Sequence, residues 1–325
     1  MRTRPEPADV IAYMDTLSNW GRWGEADTLG TLNLLTPAKR RQAAALVRDG
    51  ECVSCAKLVP HRGLGAIMGE GGPQSYMVQS GEKYMLHRTD SANPGLEYAI
   101  ESLSFIFHGE LFTHVDDLSH VFYQGKMYNG RPAGLVTSID GAQEQNIDTL
   151  MRDGVYTRGV LLDFARHRGA DVADPEDHVY PEDLAAMEEA QGARVEAGDV
   201  LLLRTGYAGQ LERLPPGQPR PGAHSGWSPA CLPWFHERGV AMIGSDVINE
   251  AAPSPYDPAD GPGILASPVH AVAMVAMGMP LLDNANLERL AAVCADKNRW
   301  EFCFTMNPLR LDRATGSPVN PIAIF

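Results

Sequence analysis

The sequence predicts an α/β domain, and three stretches carry that prediction. Gly159-Val160-Leu161-Leu162-Asp163-Phe164, Gly198-Asp199-Val200-Leu201-Leu202-Leu203-Arg204-Thr205-Gly206 and Gly239-Val240-Ala241-Met242-Ile243-Gly244 are short, continuous apolar runs set off by turn signals. Runs of this length and composition read as strands buried on both faces. Helix starts alternate with them. Pro181-Glu182-Asp183-Leu184 opens one to about Glu189, and Ser228-Pro229 opens another to about Arg238. Strands alternating with short helices predict a sheet covered by helices. No repeat or linker interrupts the pattern. Residues 1–325 therefore read as one domain, with a helix and a Trp-bearing loop (1–35) as an N-terminal extension.

Taken in order, residues 1–17 read as a short helix, with Pro5 early and apolar residues at Val10, Ile11, Tyr13, Met14 and Leu17. Asn19-Trp20-Gly21-Arg22-Trp23-Gly24-Glu25 is a Gly-punctuated loop. Its two tryptophans either plug a core edge or line a pocket, and composition does not choose between these. Thr36-Pro37 opens a helix to about Arg48, the threonine capping and the proline tolerated in the first turn. Gly50 to Leu58 reads as a strand entered from a glycine turn. Residues 60–98 read as a long irregular stretch, of the kind that is functional or mobile. The apolar run Leu103-Ser104-Phe105-Ile106-Phe107 follows. Farther on, 215–229 holds five prolines and three glycines and reads as a surface loop. Pro268-Val269-His270 begins a helical apolar run ending at Gly278, and Pro280-Leu281-Leu282-Asp283-Asn284 leads into a helix at about Asn286–Ala292.

Composition excludes several functions. Lys plus Arg number 27 against 41 for Asp plus Glu, a net charge of −14. Such a chain repels phosphate backbones, so no nucleic-acid partner is expected. No apolar segment approaches membrane-spanning length and no secretory signal is visible, so a cytoplasmic protein without a membrane partner is expected. The five cysteines, an odd count with one close pair, do not form a disulfide framework. Cys52-Val53-Ser54-Cys55 lacks the second ligand pair that structural zinc requires. The absence of Gly-x-Ser-x-Gly argues against a serine hydrolase. The absence of Gly-x-Gly-x-x-Gly after a strand argues against a dinucleotide enzyme.

Chemistry concentrates in Phe107-His108-Gly109-Glu110-Leu111-Phe112-Thr113-His114-Val115-Asp116-Asp117-Leu118-Ser119-His120, which holds three of the ten histidines and three carboxylates. Thr113 to Asp116 reads as extended, and side chains two apart on a strand share a face. His114 and Asp116 can thus converge, as an imidazole and a carboxylate must to hold a divalent cation. His120 reaches the same point if the chain turns after Asp116, and Glu110 and His108 enlarge the set. The plainer reading is a surface strand with satisfied histidines. Ser245-Asp246 directly follows the third apolar run, where open sheets place functional groups.

Together these landmarks resemble the cyclase family of metal-dependent hydrolases, which includes bacterial kynurenine formamidase, isatin hydrolase and trans-dienelactone hydrolase. The family motif is His-x-Gly-Thr-His-x-Asp-x-x-x-His, matched here by Thr113, His114, Asp116 and His120. Gly198 to Gly206, Gly244-Ser245-Asp246, His270 before Gly278 to Asn284, and Gly316-Ser317-Pro318-Val319 follow in the family's order. Two departures stand out. Glu110 and Phe112 replace the motif's first histidine and its glycine, and Asp283 stands where the family commonly has glutamate.

The resemblance implies a swivelling β/β/α domain, a curved mixed sheet or partial barrel flanked by helices, in a homodimer or homotetramer. It implies a divalent ion, Zn or Mn, held by His114, Asp116 and one of Glu110 or His108, with His270 and Asp283 completing or extending the site. Carboxylate-rich ligation tilts the expectation towards manganese. His120 is the expected proton shuttle and His270 its companion in the catalytic set. Trp20, Trp23, Phe112 and Asp246 are the expected substrate contacts. The implied reaction is hydrolysis of an amide, imide or lactone in a small cyclic or aromatic molecule. Cyclisation or elimination at the same site, and a non-catalytic binding protein on this fold, are the alternatives.

Overall fold

A computed structural model describes residues 2–60, 73–85, 96, 98–215, 218–257, 259, 261 and 263–325. Its strands are β1 (Cys52–Ser54), β2 (Gln74–Gln79), β3 (Ile100–Ser104), β4 (His114–Asp116), β5 (Val136–Thr137), β6 (Gly141–Ala142), β7 (Val155–Asp163), β8 (Val200–Arg204), β9 (Met242–Ser245), β10 (Leu281–Asp283), β11 (Glu301–Met306), β12 (Gly316–Pro318) and β13 (Ile322–Ile324).

Nine of these form one mixed sheet in the order β1-β13-β11-β7-β8-β9-β10-β4-β12. The three apolar runs read from the sequence are its parallel centre, β7, β8 and β9, in register at Leu161↔Leu202 and Leu202↔Gly244. Every residue of β8 is buried, as a strand covered on both faces requires. β10 continues the parallel set, and antiparallel strands close both sides. The sheet curls into a partial barrel flanked by helices, the architecture expected. On the sheet, Arg158 grips Asp199 in a bidentate pair of 3.0 and 2.6 Å. Both residues are buried, so each neutralises a charge the interior would otherwise penalise.

Some elements differ from expectation. The sequence reads Pro280–Asn284 as a lead-in to a helix, yet Leu281–Asp283 is a sheet strand between β9 and β4. The helix that follows spans Glu288–Lys297. Three residues are too few for periodicity to show, and the strand exists because both neighbours pair with it. Within the stretch read as irregular, Gln74–Gln79 pairs antiparallel with Ile100–Ser104 and Glu82–Met85 forms a helical turn. The rest of that stretch, 61–72, 86–95 and 97, lies outside the described residues. The helix after Thr36 ends at Ala44, four residues short of Arg48.

The N-terminal segment is tied to the helical run that begins at His270. Asn19 and Trp20 hydrogen-bond to the carbonyls of Ala276, Met277 and Val275. A Cβ at Gly30 would stand 1.9 Å from the Gly278 carbonyl oxygen, so only glycine permits this approach. The β2–β3 hairpin contrasts with this. Among the described residues between Tyr76 and Ile106, nine large apolar side chains are exposed, including Val78, Tyr98, Ile100 and Leu103. Among the described residues, no helix is long and apolar enough to cross a membrane.

Candidate metal centre

β4 is the hub. It is only three residues long, all buried, and it pairs antiparallel with β10 on one side and β12 on the other. The register sets His114 directly opposite Asp283, and opposite residues of neighbouring strands share a face. Asp116 lies two residues along β4 and so joins that face. The chain then turns, as the His120 N–H donating to the Asp117 carbonyl records, and His120 comes back over Asp116.

Four imidazoles surround the Asp116 carboxylate. His108 Nδ1 lies at 2.8 Å, His114 Nε2 at 3.4 Å, His120 Nε2 at 3.8 Å and His270 Nε2 at 3.9 Å from its oxygens. Burial alone would raise the Asp116 pKa, but the hydrogen bond from His108 and the charges of His114, His120 and His270 outweigh it, holding the carboxyl well below the usual range. The His108 and His120 rings stack at 4.1 Å and 4°. His108 is anchored at its other nitrogen by Thr315 Oγ1 at 3.1 Å.

His114 donates from Nδ1 to the Phe112 carbonyl at 2.8 Å, which leaves the Nε2 lone pair facing the carboxylates of Asp116 and Asp283. His270 Nε2 lies 3.2 Å from Asp283 Oδ2, and its Nδ1 lies 3.1 Å from Glu250 Oε1. Burial would lower the His270 pKa, but Asp283 and Glu250 overcome it and raise the pKa well above the ordinary value. Burial holds His120 down at about 4.

The donor set fits a divalent cation. His114, Asp116 and Asp283 bring one ligand atom each within 4.8 Å of one another, and so do His108, Asp116 and His120. The lone pair and carboxylate oxygens of the first group are all acceptors facing inward, and His270 Nε2 adjoins them 3.2 Å from Asp283 Oδ2. Only a cation, a proton or a metal, reconciles such a group when buried. Imidazole with carboxylate oxygen suits zinc and manganese alike.

The cluster floors a cavity of about 730 Å³ whose walls include Val121, Phe122, Ile248 and Ile264. Glu110 stands at its rim, 53% exposed at the side chain and paired with Arg220 at 3.1 Å. It is outside both ligand groups, whereas His108 is inside one. Neither Trp20 nor Trp23 lines the cavity. The Trp20 indole donates to the Val275 carbonyl, and Arg22 lies 4.7 Å from the centre of the Trp23 ring. Phe112 is buried edge-on against Phe105. Asp246 is buried with its oxygens taken up by Thr205 N, Thr205 Oγ1 and Gly206 N, each at 2.8 Å. The five cysteines are free, and burial pushes the Cys55 thiol up to about 12, so it is inert as a thiolate.

Sequence reasoning missed Asn249, Glu250, Thr315 and Arg220. Asn249 donates to Asp283 Oδ1 at 2.6 Å and to the Leu282 carbonyl at 2.8 Å, and Trp227 Nε1 donates to its amide oxygen at 3.0 Å. None of the four sits in a local motif. They arrive at the site through sheet pairing and loop return; Asn249-Glu250 lies a few residues past Ser245-Asp246, Thr315 directly precedes Gly316-Ser317-Pro318-Val319, and Arg220 lies in the 215–229 loop, so position alone pointed near them but no residue pattern singled them out.

The chain belongs to the Cyclase family, whose sequence profile matches residues 72–251, over half of the 325-residue chain. A crystal structure described as a novel cyclase is 28% identical, covering 95% of this chain and 100% of its own, with a TM-score of 0.84. An isatin hydrolase bound to the product analogue thioisatinate is 17% identical over 86% of this chain and 93% of its own, with a TM-score of 0.56. Isatin hydrolase A from Ralstonia solanacearum is 18% identical over 87% and 93%, also at 0.56. At these identities the isatin hydrolases share the fold. No curated protein sequence matches the chain.

Asp246→Ala removes the acceptor of three buried donors, each costing about 1–3 kcal/mol when left unpaired. Urea unfolding of the variant should show a loss of about 3 kcal/mol or more. A midpoint equal to wild type would mean that the carboxylate does not hold the Thr205–Gly206 turn.

Proposed function

We propose that this protein is a metal-dependent hydrolase that opens an amide, imide or lactone bond in a small cyclic or aromatic substrate. One observation carries the reading: Asp116, ringed by four imidazoles, lies at the floor of a cavity of small-molecule size. An ion, zinc or manganese, would be held by His114, Asp116 and Asp283, with His270 completing the set. His108 takes the position against Asp116 expected of the motif's first histidine, and Glu110 keeps to the rim with Arg220. A divalent ion supplies polarisation of a carbonyl and lowers the pKa of water from about 15.7 towards about 7.

The protein's own groups do the rest. His120 opens onto the cavity and is neutral at pH 7, so it can take a proton from water and return it to the leaving atom. Phe122, Ile248 and Ile264 offer apolar walls to a ring. The fold shared with isatin hydrolases supports hydrolysis of a small molecule. A second reading, cyclisation at the same site, is favoured by the likeness to the novel cyclase. Product mass separates the two, since hydrolysis adds one water.

Removing His120 tests the chemistry. His120→Ala should retain its metal and bind substrate while turnover falls about 10²–10⁴-fold. Near-normal turnover, or a variant that purifies metal-free, would contradict the shuttle role.

The protein also assembles, in this reading, as a homodimer or homotetramer through the β2–β3 hairpin. An isolated two-stranded hairpin is marginal in water, and this one presents apolar side chains with one charged residue, Glu101, in its strands. Like-charged copies meet most readily on such a neutral surface. Replacing Val78 and Leu103 with Lys should shift the mass measured by light scattering towards the monomer. An unchanged oligomer, or a monomeric wild type, would reject this interface.

A further inference from the structure

The residues Asn249 and Glu250 come from the turn after β9 and reach two neighbouring groups of the ion site, Asp283 and His270. Asn249 has a left-handed backbone, φ 53°, which asparagine tolerates better than most residues. That conformation lets its amide hold Asp283 from one side while the next residue turns to His270. Glu250 is buried, and one of its oxygens accepts twice from the same partner. Oε1 lies 2.8 Å from the His270 backbone N and 3.1 Å from its Nδ1. Backbone and ring of His270 are therefore both fixed by a single carboxylate atom.

The consequence for the ring follows from donor and acceptor chemistry. An ionised carboxylate only accepts, so the bond at Nδ1 places a proton on that nitrogen. In the neutral ring Nε2 then carries the lone pair, and it is Nε2 that faces Asp283 Oδ2 at 3.2 Å and Asp116 Oδ2 at 3.9 Å. His114 is set the same way by the Phe112 carbonyl. Each imidazole that faces the shared carboxylates from a buried position thus has its far nitrogen occupied by an oxygen.

We propose that Glu250 is a positioning residue for the metal centre: it locks His270 with Nδ1 protonated and Nε2 turned to the ion, and so sets the ion's affinity. This rests on the metal-dependent reading above. Partners of this kind, hydrogen-bonded behind a ligating histidine, change metal affinity about 10- to 100-fold when altered. A purely structural role, capping the start of the Pro268–His270 helix through its backbone N–H, would leave affinity alone and appear only in stability.

The test strips wild-type, Glu250→Gln and Glu250→Ala proteins of metal. Each is titrated with Zn(II) and Mn(II) against a colorimetric chelator, and the melting temperature of each metal-free protein is recorded. Glu250→Gln keeps an acceptor for the His270 backbone but loses the charge. It should melt with metal-free wild type yet bind the ions about 10-fold more weakly, and Glu250→Ala about 100-fold more weakly. In zinc-loaded wild type with ¹⁵N-labelled histidine rings, His270 should show a protonated Nδ1 and a bare Nε2. Wild-type affinity in both variants, or weakening confined to Glu250→Ala and matched by a collapse of its metal-free melting temperature, overturns the inference alone. A wild-type protein that takes up neither ion overturns the metal-dependent reading and the inference with it.

Discussion

The structure turns on the burial of one charge. Asp116 is 1% exposed, and a carboxylate taken out of water costs several kcal/mol unless partners replace its hydration. Here the partners are imidazoles, delivered by four separate pieces of chain: the turn carrying His108, β4 itself, the turn carrying His120, and the helix start at His270. No one element could supply them. The strand pairs on both sides of β4 are what bring His114, Asp116 and Asp283 to one face, so the sheet edge and the site are a single construction.

This explains why the supporting structure is arranged as it is. The parallel centre ends in β9 and β10, and the turn after β9 supplies Asn249 and Glu250 to hold Asp283 and His270. Behind His270 the chain continues as a π-helix over Ala271–Ala276, a rare conformation that is frequent at functional sites. The N-terminal segment seals that helix from outside, through Asn19 and Trp20 to its last carbonyls and through the close approach of Gly30 to Gly278. Trp20 thus bears on the site by holding the backbone that carries His270.

Much of this was legible in sequence where the signal is local. Continuous apolar runs between turns gave the parallel strands, and the two-residue spacing of His114 and Asp116 gave a shared face. What was not legible depends on pairing at a distance. Leu281–Asp283 has no period of its own and becomes a strand only by lying between β9 and β4. Strand alternation carried back through 108–112 would put His108 and Glu110 on one face and leave the choice between them open. Residues 108–112 instead form turns, with Gly109 at φ 114°, so the two side chains part: one to Asp116, the other to Arg220 at the rim. Glu250, 20 residues before His270, left no trace in any motif.

The most direct measurement of the central claim is metal content. Purified protein and the double variant His114→Ala/Asp116→Ala are each dialysed against zinc and manganese and analysed by mass spectrometry of the elements, with circular dichroism to confirm folding. The account predicts stoichiometric divalent metal in the wild type and none in a folded double variant. A folded double variant with a full complement of metal, or a wild type that holds none, would contradict it.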